Sequence, residues 1–140
     1  MTSPIPRTPF SPHALMTACE GEANLAASIL REAPETIRGF IEKLNTAIES
    51  RDGHLLAMAA HQVLNTATLF GQADLQEASR SLETVARSRR IESAIGKAVH
   101  LCAGLRRFHN ELLCFLDPFG PTPDLDIETL AHWLDENRER

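Results

Sequence analysis

The chain has 140 residues, enough for one domain with one sound core. Hydrophobic residues at 43% and charged residues at 24% exclude a disordered chain, and 5% aromatics with no Tyr favour an aliphatic, helical protein over a β-sandwich. A net charge of −5 lacks the basic face that nucleic-acid binding needs, and Cys19, Cys102 and Cys114, with no CxxC among them, argue against a disulfide framework or a structural zinc site.

Residues 1–10 (MTSPIPRTPF) read as a Pro-rich, mobile arm rather than a signal peptide, because they hold three prolines and no apolar run. Ser11-Pro12 marks a helix start, and that short helix runs to about Cys19 and stops near Gly21. From 22 to 50 the positions Leu25, Ile29, Ala33, Ile37, Phe40, Leu44 and Ile48 step by three or four, one helical stripe with Pro34 as a kink inside it. Arg51-Asp52-Gly53 is a turn. A second stripe follows in Leu56, Ala60, Val63, Ala67 and Phe70, closed by Gly71 as a C-terminal glycine. A third helix covers about 73–87 with Leu75, Ala78, Leu82 and Val85 inward. The fourth, about 91–116, carries Ile91, Ala94, Ala98, Leu101, Leu105, Phe108, Leu112 and Phe115, with Cys102 and Cys114 expected as core thiols on or beside that stripe.

Short links between long amphipathic helices make antiparallel neighbours, so the expected fold is an all-α, up-down four-helix bundle over 11–116, with a small helix at its entrance. Residues 117–124 (DPFGPTPD) read as a linker. Residues 125–140 form a last amphipathic helix, with Leu125, Leu130, Trp133 and Leu134 on one side. That helix either packs back on the bundle or offers its stripe to another chain, and packing back is the expected arrangement. No stretch approaches the roughly 20 apolar residues of a membrane span.

On the second long helix, at 100° per residue, His61 falls about 140° from Leu56, far from the core stripe. Around it lie Ala57, Met58, Leu64, Asn65, Thr68 and Leu69. Apolar groups gathered about one exposed polar group suggest a docking surface. His54 shares this face two turns back and is expected to be simply solvated; His13, His100, His109 and His132 have no companion motif. None of the six histidines has an acid three residues before it, so a di-iron carboxylate site in the core is excluded and no metal is expected. Arg87, Arg89 and Arg90 form a small basic cluster at a helix junction, expected as a solvated turn. No phosphate loop, Ser/His/Asp set or carboxylate pair stands out, which argues against a self-sufficient enzyme.

The segment AHQVLNTATLFGQADLQEASRSLE, residues 60–83, resembles the histidine phosphotransfer (HPt) domain of two-component phosphorelays. The shared features are Ala60-His61, Val63, Gly71 ten residues after the histidine, Leu75 four further on, and the closing Leu82-Glu83. The resemblance spans about 11–116 and implies a phosphocarrier that accepts a phosphoryl group on His61. Its partners would be a response-regulator receiver domain, a hybrid histidine kinase, or both. Met58, Leu64, Asn65, Thr68 and Leu69 would form the docking face. The carrier would need no cofactor of its own, since the family's magnesium ion sits on the receiver; a cytoplasmic monomer is expected. Two positions depart from the family: Leu64 stands where Lys is usual and Asn65 where Gly is usual. A degenerate module that binds a receiver or kinase without transferring phosphate is therefore the alternative.

Overall fold

The computed structural model describes residues 10–121 and 124–137. Six α-helices follow one another: α1 (Pro12–Ala18), α2 (Ala23–Ser50), α3 (Gly53–Leu69), α4 (Ala73–Arg87), α5 (Ile91–Leu116) and α6 (Ile127–Glu136), and no strand occurs among the described residues. No helix there is long and apolar enough to cross a membrane. The helices close around a single aliphatic core, in which Leu30, Ile37, Leu44, Leu56, Leu82, Leu101, Leu105 and Leu112 are almost wholly buried. Extensive contacts join α2 to α3, α5 and α6, and join α4 to both α3 and α5.

Local chemistry sets the helix ends. Pro12 opens α1 behind Ser11, where its missing N–H costs nothing. Arg51 ends α2 in the left-handed conformation, and Asp52 then caps α3 by accepting from the Leu55 amide at 3.1 Å. Gly71 follows α3 at φ 64°, with the Gln72 amide donating to the Ala67 carbonyl at 2.9 Å, so the chain reverses through a glycine-dependent turn. A Cβ on Gly71 would also lie 2.7 Å from the Ala14 methyl, so glycine is needed there for space as well as for backbone angle. Pro34 sits buried inside α2, whose helix continues unbroken to Ser50.

Several expectations need correcting. Leu25 is 48% exposed, because Ala26 and Ala27, a helical step further round, take the core-facing positions. Ile29 and Ile48 are only partly buried, at the margin of the stripe. In α4 the buried line is Leu75, Ser79, Leu82 and Ala86, with Ala78 and Val85 beside it. Cys102 and Cys19 are buried, but Cys114 is exposed, being two residues from both Leu112 and Leu116 and so on the opposite side of α5.

The terminal segments differ too. Phe10, assigned to the mobile arm, packs against Phe115 with ring centroids 4.9 Å apart, and touches Phe70 and Phe108 at 6.2 and 6.3 Å; the rest of the arm lies outside the described residues. The linker is partly ordered: Asp117–Phe119 forms a 3₁₀ turn, and Phe119 meets Trp133 edge-on at 6.0 Å. The last helix packs back, burying Leu130 and Leu134 completely, with Trp133 edge-on to Phe115 at 5.4 Å. The helix is shorter than the expected 125–140: it spans Ile127–Glu136, capped by Asp126 and ended at Asn137, and residues 138–140 lie outside the described residues.

Candidate functional site

Helices α3 and α4 form a hairpin about the Gly71 turn. Gln76 Nε2 donates to Thr68 Oγ1 at 2.9 Å, and His61 faces Glu83. Both pairs are centred on residue 72, as the two arms of one antiparallel hairpin must be. Since Ala57, Ala60, Val63 and Ala67 turn into the core, His61 is carried outward and its side chain is 57% exposed. It stands in the middle of α3, where all backbone hydrogen bonds are made within the helix, so its Cα is held rigidly.

Glu83 comes up beside it from α4. His61 Nδ1 lies 3.4 Å from Glu83 Oε1, while Arg87, one turn further on, donates to Glu83 Oε2 through Nη2 at 3.1 Å and Nε at 3.3 Å. Partial burial pulls the Glu83 carboxyl upward, but the hydrogen bonds from Arg87 and His61 outweigh it and hold Glu83 below the ordinary carboxylate range. An ionised carboxylate can only accept, so the hydrogen bond requires a proton on Nδ1. In the neutral ring the lone pair is then on Nε2, the nitrogen turned away from Glu83. A charged acceptor on one ring nitrogen thus prepares the other as a nucleophile without any base to remove a proton.

The residues expected around His61 divide into two groups. Met58 is 46% exposed, Asn65 and Thr68 are exposed, and Leu64 is half-buried without joining the core. Ala57 and Leu69 do not belong to the open face: Ala57 is buried in the core, and Leu69 is half-buried and packs against the core at the end of α3. The Thr68 hydroxyl is already engaged, donating to the Leu64 carbonyl at 2.8 Å while it accepts from Gln76. The sequence reading missed Glu83 as a contact of His61, and also Lys43, whose Nζ donates to Gln62 Oε1 at 3.1 Å beside the histidine on α3. A lysine therefore does stand near this face, contributed by α2 rather than from the position that Leu64 occupies. The pairing of His61 with Glu83 was open to discovery from the Gly71 turn, which fixes the hairpin's register.

Among the described residues, no group of three or more His, Cys, Asp or Glu side chains is arranged to hold a metal ion. No protein-family model, curated protein or solved structure matches this chain.

Proposed function

We propose that the chain is a histidine phosphotransfer protein that carries a phosphoryl group on His61. The observation that carries this reading is the His61–Glu83 pair: an exposed imidazole in mid-helix, with Nδ1 occupied by a carboxylate and Nε2 open. The order of residues from Ala60 to Glu83 supports it, because the closing glutamate of that signature is the residue that faces the histidine. Contacts along the other helices support an up-down bundle of this kind. Arg51 at the end of α2 pairs with Glu92 at the start of α5, and Asn45 receives the Cys102 thiol at 3.9 Å further along, as two antiparallel helices require.

In the reaction, the Nε2 lone pair attacks the phosphorus of an aspartyl phosphate on a receiver domain. The N–P bond forms as the P–O bond breaks, and the aspartate leaves as a carboxylate with the electron pair. Nδ1 keeps its proton throughout, and the positive ring is stabilised by Glu83. A magnesium ion assisting the leaving group would be held by the partner, not by this chain. Met58 and Leu64 give the receiver an apolar surface beside the nucleophile, and the carrier works in the cytoplasm with its kinase and regulator. The Leu64/Asn65 pair favours the second reading, a receiver-binding module that no longer transfers.

Incubation of the wild-type chain and His61→Gln with a small phosphoramidate, followed by mapping of acid-labile phosphate, tests the proposal. His61 in the wild type is expected to label and to be discharged by a receiver domain, and His61→Gln to remain helical and unlabelled. Equal labelling of the two proteins overturns the assignment. Stable receiver binding with no labelling selects the second reading.

A further inference from the structure

At the N-terminal end of α3 lies a second concavity, of about 510 Å³, lined by Arg51, Gly53, His54, Ala57, Ala86, Arg87, Arg89 and Ile91. Besides His54 and Ile91, its non-cationic lining is of small residues. α3 and α4 approach so closely there that a Cβ on Gly53 would lie 3.3 Å from the Ala86 carbonyl oxygen. Its rim is made of long cationic ones: Arg51 from the end of α2, Arg87 from the end of α4, and Arg89 from the connection to α5. The sequence reading took this cluster for a solvated turn. The structure instead folds two of its arginines, with Arg51, about one hollow.

Three observations converge on what that hollow accommodates. No carboxylate is among its lining residues, although the whole chain carries 19 acidic residues against 14 basic ones. Arg51 and Arg87 are oriented by hydrogen bonds to Glu92 and Glu83, whereas no acid pairs with Arg89 among the described residues. Arg51 and Arg89 also adopt φ of 51° and 65°, a backbone state that favours glycine. The chain thus carries arginine at both corners of the hollow, where glycine would sit with less strain.

The geometry points to a binding site for a small phosphorylated molecule, held by the guanidinium forks of Arg51, Arg87 and Arg89. Guanidinium pairs phosphate oxygens bidentately, and the volume falls within the range of small-molecule sites, about 300–1,000 Å³. The acidic balance of the surrounding chain disfavours an extended polyanion and leaves a compact one. The site stands independently of phosphotransfer through His61. It nevertheless reaches that residue, because Arg87 bonds the same Glu83 carboxylate that His61 bonds.

Titration of the full-length chain with inorganic diphosphate, at ionic strength held constant with potassium chloride, tests this by calorimetry and by NMR of the histidine rings. Saturable one-to-one binding is expected. Arg89→Gln should weaken it at least tenfold, while Arg106→Gln, which removes the same charge from the exposed face of α5, leaves it unchanged. The His54 ring signals should move to saturation while those of His132 on α6 stay put. Absence of saturable binding, equal weakening by Arg106→Gln, or equal movement of His54 and His132 overturns the site; circular dichroism of each variant confirms that the helices are intact.

Discussion

The two ends of α3 are built on opposite principles. At its C-terminal end, Phe70 joins Phe10, Phe108, Phe115, Phe119 and Trp133 in one network of tilted and edge-on rings, which takes in every aromatic residue of the chain except Phe40. At its N-terminal end the hollow has no Phe or Trp in its lining; glycine, alanines, His54 and Ile91 lie beneath the arginines. One end is filled and closed over by residues from both extremities of the described chain; the other is left hollow and charged. Filling yields dispersion and desolvation energy, whereas a hollow lined by cations adds little to stability and persists because the filled end holds the helices in place. His61 lies between the two, rigid because of one end and electrically linked to the other.

The largest effect is expected at the filled end. Phe70→Ala empties a site only 1% exposed and should cost about 3–5 kcal/mol of unfolding free energy, read by urea denaturation. Leu134→Ala, which uncouples α6 from α2, should cost about 2–4 kcal/mol. If the Leu134 change is neutral, α6 contributes nothing to the core and the contrast between the ends weakens. Gly71→Ala should cost about 1–2 kcal/mol or more, since alanine must adopt a positive φ and displace Ala14. At the hollow end, Arg89→Gln should move the unfolding midpoint hardly at all, within about 0.5 kcal/mol. A large loss there would mean that the arginines are structural and that the two ends do not differ in kind.

Acid provides a further, smaller probe of the interior. His109 on α5 has its Nε2 buried with no hydrogen-bond partner among the described residues. Burial, reinforced by Arg38 and opposed by Glu35, holds its imidazole below the ordinary histidine value of 6.5. Its contribution to stability is therefore complete above about pH 6.5, where the unfolded histidine is neutral, and is lost as pH falls through the depressed folded value. His109→Leu should flatten the decline in stability between pH 7 and pH 5. An unchanged slope would place the acid sensitivity elsewhere.

The helices themselves were readable because apolar residues repeat every three or four positions and glycine, proline and aspartate punctuate them: Pro12, Asp52 and Gly71 all stand at helix ends. Where the stripe misled, as at Leu25, the neighbouring Ala26 and Ala27 take the buried side of α2 instead. Exposure of His61 followed from angle alone, since Val63 and Ala67 fix which way α3 faces. Glu83 did not, because a contact between helices depends on the register of the turn joining them rather than on periodicity within either. The hollow was invisible for the same reason: Arg51 comes from the end of α2, Arg87 and Arg89 from the α4–α5 connection, and only the packing of the helices brings them together.

The two extremities of the described chain lean on one ring: Phe10 and Trp133 both pack on Phe115. During synthesis on the ribosome, the N-terminal flank of that ring is available early, but its other flank waits for α6. A nascent chain ending before Trp133 would present Phe115, Phe119 and a strip of α2 to water, which is the kind of surface that chaperones hold and that aggregates nucleate upon. Helix α6 is made after the ring it covers, and its docking ends this period of exposure.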